Sequence, residues 1–260
     1  MSSSPKPFKA PPRKHQPRGT PVLYEDHDIL VVNKACGLLS VSYDEAHNDT
    51  AYDRLLNYVR KGNVRSKARI YMVHRIDRDT SGVLMFAKNP QARKFLLEEW
   101  KQFSKHYVAL VHGHPSPQED IITSFLAEQK GYVMASVPET EGGQYAKTGY
   151  RVVRHSKKFS LLSIDLFTGR KNQIRAQLSE KGHPIVGDRK YGKNMPQMGK
   201  RLFLHAATLQ IVHPHTKEPM SFTAPTPPAF EALLTGQSTK TISTPKHGSH
   251  DTRTRESKEN

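Results

Sequence analysis

Cysteine is almost missing from this 260-residue chain: Cys36 stands alone, so neither an intramolecular disulfide nor a sulfur-ligated metal centre can be built from it, and reducing conditions suit it. Long apolar runs are missing as well. None approaches the roughly 20 residues that a membrane-spanning helix needs, and the opening MSSSPKPFKAPPRK has no apolar stretch of the secretory kind. A cytoplasmic location is expected, with no membrane partner. No Gly-rich dinucleotide fingerprint or P-loop occurs, which removes those nucleotide-binding classes, and no internal repeat is found. Negative charge is scarce, with 24 Asp and Glu against 40 Lys and Arg.

What is present follows from that imbalance. The net charge of +16 and a pI of about 9.9 point to a polyanionic partner, because phosphate contacts supply most non-specific affinity for nucleic acid. An anionic membrane surface is the competing reading. Residues 1–20 hold five basic side chains and no acids, and residues 236–260 hold five basic and three acidic, so the body between them keeps +9. A basic body with basic ends favours nucleic acid. Both ends are rich in Ser, Pro, Thr and Lys and too poor in apolar residues to fold alone, so disordered tails are expected over 1–20 and 236–260. One domain is expected over 21–235, and the 35% apolar composition of the whole chain suffices for a core.

Within that body, PVLYEDHDILVVNKA predicts a strand, a tight turn and a second strand through Val32. A helix is predicted from Asp49 through Arg60, capped by Asp49 or Thr50, with Leu55, Leu56 and Val59 facing a core. Tyr71–Val73 and Val83–Ala87 read as strands flanking the polar segment HRIDRDTSG. After Pro90, the spacing of Ala92, Phe95, Leu96, Trp100 and Phe103 predicts an amphipathic helix. KHYVALVHG, GYVMASV, YAKTGYRVVRHS and FSLLSIDLF read as four more strands. KNQIRAQLSEKG is predicted helical up to Gly182, RLFLHAATLQIVHP extended, and PPAFEALL a short closing helix. Runs of strands without regular βαβ alternation indicate an α+β domain: a mixed, mostly antiparallel β-sheet with flanking helices, which the strand pattern puts on one side.

HRIDRDTSG packs His74, Arg75, Asp77, Arg78, Asp79, Thr80 and Ser81 into eight positions, on a loop held between two buried elements, where chemistry is often carried. A structural reading competes, in which Asp77 or Asp79 caps a turn and the arginines are solvated. HRID also resembles the HRD of protein kinases. That likeness fails, since no Gly-rich phosphate loop precedes it and no DFG follows.

YMVHRIDRDTSGVLMFAK resembles the HRLD-x-x-TSG signature of the RluA family of pseudouridine synthases. VLYEDHDILVVNKACG resembles that family's opening strand pair, and KHYVALVHG its K-x-Y-x-A-x-V-x-G segment. TGRKNQIRAQLSEKGHPIVGDRKYG resembles its TGR-x-HQIR motif and GHP-x-x-GD-x-x-YG tail, and RLFLHAATLQIVHP its closing segment. Together these span about residues 21–230 in the family's order. The resemblance implies the pseudouridine synthase fold and isomerisation of a uridine in structured RNA, with large-subunit ribosomal RNA as the expected target and transfer RNA as the alternative. It implies Asp77 as nucleophile, Arg75 as the side chain entering the RNA stack, and Tyr107 against the flipped uracil, assisting proton transfer. Arg175 is expected to pair with Asp77, with Arg170 as second candidate, and Lys171, Asn172, His74 and Thr80 are expected at the RNA.

Physical reasoning gives these roles independent sense. The C–N glycosidic bond must break, the base turn and a C–C bond form, which needs no cofactor. A carboxylate can trap C1′, as in glycoside hydrolysis, or add at C6, and in a partly dry pocket a guanidinium keeps it ionised. A stacked uridine must first be extruded, and a planar cation suits the vacancy. Three departures stand out: Ala35 in place of the family's proline, expected to loosen a turn; Ile76 for leucine; and Asn172 for histidine, which cannot titrate near neutral pH. His74, His183, His205 and His213 are too scattered for a metal signature, and no metal or small-molecule cofactor is expected. The S4-type RNA-binding domain of larger relatives finds no room in the N-terminal tail, and a monomer is expected. The rival readings are a catalytically silent RNA-binding assembly factor and a metal-dependent nuclease or phosphatase using Asp77 and Asp79.

Overall fold

A computed structural model describes residues 10–12, 15–42, 49–196 and 201–236. Its eleven strands form one sheet. In chain order they are β1 (Val22–Glu25), β2 (Ile29–Lys34), β3 (Tyr71–Met72), β4 (Ser81–Ala87), β5 (Ser104–His112), β6 (Glu119–Gln129), β7 (Val133–Val137), β8 (Gln144–His155), β9 (Phe159–Leu166), β10 (Leu204–Val212) and β11 (Pro219–Thr223). The helices are α1 (Ala51–Val59), α2 (Pro90–Glu98), α3 (Gln173–Glu180) and α4 (Pro228–Leu234). Across the sheet the order is β1-β2-β4-β10-β5-β9-β8-β6-β7, with β3 added to β4 and β11 to β10. Only β4 and β10 pair in parallel, so the sheet is mixed and mostly antiparallel, as the sequence predicts. No helix of the described residues is long and apolar enough to cross a membrane.

The helices lie on both faces, which corrects the one-sided expectation. Successive strand residues point to opposite faces, and β2 divides accordingly: Ile29 and Val31 pack with Ala92 and Leu96 of α2, whereas Leu30 and Val32 pack with Ala51 and Leu55 of α1. β4 splits the same way, which is why all seven of its residues are buried. Ile174 and Leu178 of α3 and Phe230 and Leu234 of α4 cover Leu110, Leu162 and Ile164 farther along. Thr50 caps α1 in a full capping box with Asp53.

Other differences have local causes. β6 and β11 were not predicted. α2 stops at Glu98, so Trp100 and Phe103 lie beyond it, although Phe103 is buried in the cluster under that helix. Of the predicted tails, 1–9, 13, 14 and 237–260 lie outside the described residues. Residues 15–20 are part of the packed body: Thr20 is fully buried, Gln16 Oε1 accepts from Val22 N at 2.7 Å, and Arg54 Nη1 donates to the Arg18 carbonyl at 2.7 Å. Ala35 does not loosen its turn, because its amide donates to the Gly19 carbonyl at 2.7 Å. Proline could not make that bond.

Candidate active site

The loop 73–80 leaves β3 and enters β4 at Ser81, where β4 lies against β10. Gly82 has φ +116°, and a Cβ there would sit 2.1 Å from the Ala206 carbonyl oxygen, so glycine is required for the two backbones to approach. Ala206 is opposite Gly82 on one side and Tyr107 on the other. One row across three strands therefore brings the Asp77 loop beside Tyr107.

The loop is held from below by segment 34–40. Ser40 Oγ donates to the Ile76 carbonyl at 2.7 Å, and Gly37 N donates to the Arg78 carbonyl at 2.9 Å. Lys34, fully buried, donates from Nζ to the carbonyls of Ala35, Leu38 and Arg78 at 2.9, 2.7 and 3.0 Å. Burial pushes the Lys34 ammonium down to about 8, against the pull of Cys36, Asp79 and Asp77. Both neighbours of Asp77 are thus fixed by backbone bonds, and Thr80 N closes the turn on the Asp77 carbonyl at 3.1 Å.

Asp77 meets Arg175 of α3. Arg175 Nη1 donates to Asp77 Oδ2 at 3.1 Å and to Asn172 Oδ1 at 3.2 Å. The opposite edge of the guanidinium is bound in a fork by Asp188, Nε to Oδ2 at 2.7 Å and Nη2 to Oδ1 at 2.9 Å. Burial alone would lower the Arg175 pKa, but Asp188 and then Asp77 outweigh it and push it up, so the cation persists at any working pH. Of the two candidate partners for Asp77 the structure selects Arg175, since Arg170 turns its Nε to the Tyr145 carbonyl at 2.9 Å. Asn172 holds φ +51° just before α3, a conformation asparagine tolerates, and its Nδ2 donates to Tyr191 Oη at 3.2 Å.

Asp77, Tyr107 and Arg175 line one cavity of about 300 Å³, together with Arg75, Thr80, Arg170, Lys171 and Asn172. Burial, then the Asp77 charge, pushes the Tyr107 phenol up, so a neutral ring faces the cavity. Arg75 is exposed at its rim. Of the nine side chains the sequence singles out, His74 alone is outside this lining. Its Nε2 accepts from Met85 N at 3.0 Å, its ring stacks on Trp100 at 4.5 Å, and burial followed by the Lys105 charge holds it down at about 3. Within the fold it serves as an acceptor for the backbone of β4.

Sequence reasoning missed Asp188, Lys34 and Ser40. A buried arginine asks for more carboxylate than one partly exposed aspartate supplies, and the GD pair of GHPIVGDRKYG was the available signal. The other three histidines weighed as metal ligands bond within the fold: His205 bonds Ser81 Oγ and the Ala224 carbonyl, His183 bonds the His112 carbonyl, and His213 bonds Asp26. The one trio of metal-ligand type among the described residues is Asp26, Asp28 and His213, where Asp26 already caps the β1–β2 turn by accepting from Asp28 N and Ile29 N.

Comparison with known proteins meets this geometry from outside. Residues 28–180 match the profile of the family described as RNA pseudouridylate synthase. The dual-specificity RNA pseudouridine synthase RluA of Escherichia coli (strain K12) is 36% identical over 209 residues, 78% of this chain and 92% of that protein. The ribosomal large subunit pseudouridine synthase D of Zymomonas mobilis is 30% identical over 237 residues, 86% of this chain and 75% of that protein. Among solved structures, human RNA pseudouridylate synthase domain containing 4 superposes with a TM-score of 0.71 over 86% of this chain and 94% of that one, at 23% identity.

Proposed function

This chain belongs to the RNA pseudouridylate synthase family, on its RluA-like side, and we propose that Asp77 is the nucleophile with which it works. Its activity is that of an isomerase converting uridine to pseudouridine in RNA. The observation that carries the assignment of Asp77 is its 3.1 Å contact with Arg175 on the wall of a cavity shared with Tyr107. During the reaction C1′–N1 breaks, C1′–C5 forms, C5 gives up a proton and N1 gains one, so atoms balance without a co-reactant. Asp77 attacks either C1′ or C6. Arg175 holds it ionised and aimed, and is itself anchored by Asp188. Tyr107 lies against the extruded uracil, while Arg75, exposed and without a hydrogen bond among the described residues, fills the place the base leaves. Thr80, Arg170, Lys171 and Asn172 contact the RNA around it.

We assign the substrate as large-subunit ribosomal RNA, supported by the similarity to the Zymomonas mobilis protein of that name. The dual specificity in the name of the Escherichia coli relative favours transfer RNA as the second reading. We place the catalytic domain over residues 15–236, acting as a monomer in the cytoplasm. The test is to incubate purified protein, in chelator, with total RNA from a strain lacking its gene, and to map pseudouridine by adduct chemistry. New pseudouridine at a large-subunit site is expected. A transfer RNA site would move the substrate assignment, and strand cleavage or no product would refute the reading.

A further inference from the structure

Beside the catalytic cavity lies a second one, about 680 Å³, which shares Asp77, Lys171, Asn172 and Arg175 with the first as a common wall. Its remaining lining is strongly basic: Arg78, Arg189, Lys190 and Lys193 face Asp79 and Asp188, and Asp188 is already spent on Arg175. The cations crowd one another. Burial, then Lys171 and Arg175, push the Lys190 ammonium down, a tension that an entering anion relieves.

The tip of the β6–β7 hairpin reaches the rim of this cavity through Gly131. Gly131 and Tyr132 both have positive φ, +77° and +60°, and for an aromatic residue that conformation is costly. It is held by Lys190, whose Nζ donates to the Tyr132 carbonyl. The result is a large ring left 74% exposed, with Lys171 Nζ 5.4 Å from its centroid and no other ring against it among the described residues. An exposed aromatic beside a basic hollow is what unpaired RNA uses: any base stacks on the ring, and cations take the phosphate.

We propose that this cavity and Tyr132 form a second RNA subsite, which takes one unpaired nucleotide flanking the target uridine, its phosphate among Arg189, Lys190 and Lys193 and its base on Tyr132. The inference rests on the pseudouridine synthase reading, because it takes the first cavity as the seat of the target. The subsite governs which sequence context or loop shape is accepted, and leaves the chemistry at Asp77 untouched.

The test is made on binding, in full-length protein carrying Asp77→Asn, so that failure of the catalytic assignment leaves it readable. Short single-stranded RNAs with a central uridine are followed by fluorescence anisotropy, with an abasic ribose substituted at each flanking position in turn. Tyr132→Ala is expected to weaken binding about tenfold, the effect of losing one base–aromatic stack, and Tyr132→Phe to restore it. One abasic position should cost the parent protein the same factor and cost Tyr132→Ala nothing further. Lys193→Ala should lower the slope of log affinity against log salt by about one. Equal binding by Tyr132→Ala, a penalty independent of every abasic position, an unchanged salt slope, or no measurable binding by the parent would each overturn the proposal.

Discussion

Arg175 divides one guanidinium between two carboxylates of different standing. Asp188 has no exposed side-chain surface, and Asp77 keeps 28% of its own, so the first anchors and the second stays available. Asp188 Oδ1 also accepts from Lys190 N and Tyr191 N at 2.9 and 3.0 Å. Asp188→Ala therefore strands a buried charge and two amides, and is expected to lower the unfolding free energy by about 3–5 kcal/mol, read from denaturant midpoints, and to lower kcat with it. His74 gives a pH signature. Held neutral with its pKa lowered from 6.5 to about 3, it contributes stability that is fully present above 6.5 and lost as pH falls from 6.5 towards 3, where the unfolded chain binds a proton that the folded one refuses. His74→Gln keeps an acceptor for Met85 N but cannot titrate, so its melting temperature should fall less than that of the wild type between pH 7 and 4. At this scale the dense motifs of the sequence pointed to Asp77, Tyr107 and Arg175, and the structure brings these three side chains to one cavity. The sequence did not show that the His74 ring turns to the β4 backbone and Trp100, because nearness in the chain to Asp77 says nothing about which way a ring points.

Among the elements, strands buried on both faces were the most legible, since β2 and β4 are continuous apolar runs whose length and β-branching decide between helix and strand. β6 was not legible because only Ile122 and Leu126 of its eleven residues are buried, a four-residue spacing that mimics a helix face. β11 opens on proline and buries Phe222 alone. The periodicity after Pro90 ran past the end of α2 because Phe103 packs into the same core from extended chain, and a hydrophobic pattern cannot tell the two apart. Residues 15–20 looked like a tail by composition, yet their carbonyls are fixed by the Arg54 side chain and the Ala35 amide. The element joint that matters most to the site is the parallel contact of β4 with β10. Gly82→Ala must displace the Ala206 backbone and adopt φ +116°, and is expected to cost about 3 kcal/mol or more, measured by denaturant unfolding.

For the whole molecule, charge and topology cooperate. The fold delivers Tyr107 from β5, Arg175 from α3 and Asp77 from the β3–β4 loop to one cavity, whose lining also carries the cations Arg75, Arg170 and Lys171, in a chain of net charge +16. RNA affinity should accordingly fall on the order of a hundredfold between about 50 and about 200 mM salt, the loss expected for roughly five phosphate contacts, as an anisotropy titration across salt would show. Composition made a nucleic-acid partner legible before any motif did, and the motifs narrowed it to RNA. The division of labour between two adjoining cavities was not, because it depends on a hairpin that the sequence did not reveal.

Single-turnover kinetics of Asp77→Asn on RNA that the wild type modifies is the most direct measurement. The substitution is nearly isosteric and leaves an oxygen that can accept from Arg175. The expected result is no detectable pseudouridine, with melting temperature and RNA affinity close to those of the wild type. Pseudouridine formed at a rate near that of the wild type would contradict Asp77 as the nucleophile, and with it the reading of the Asp77–Arg175 pair as the catalytic centre.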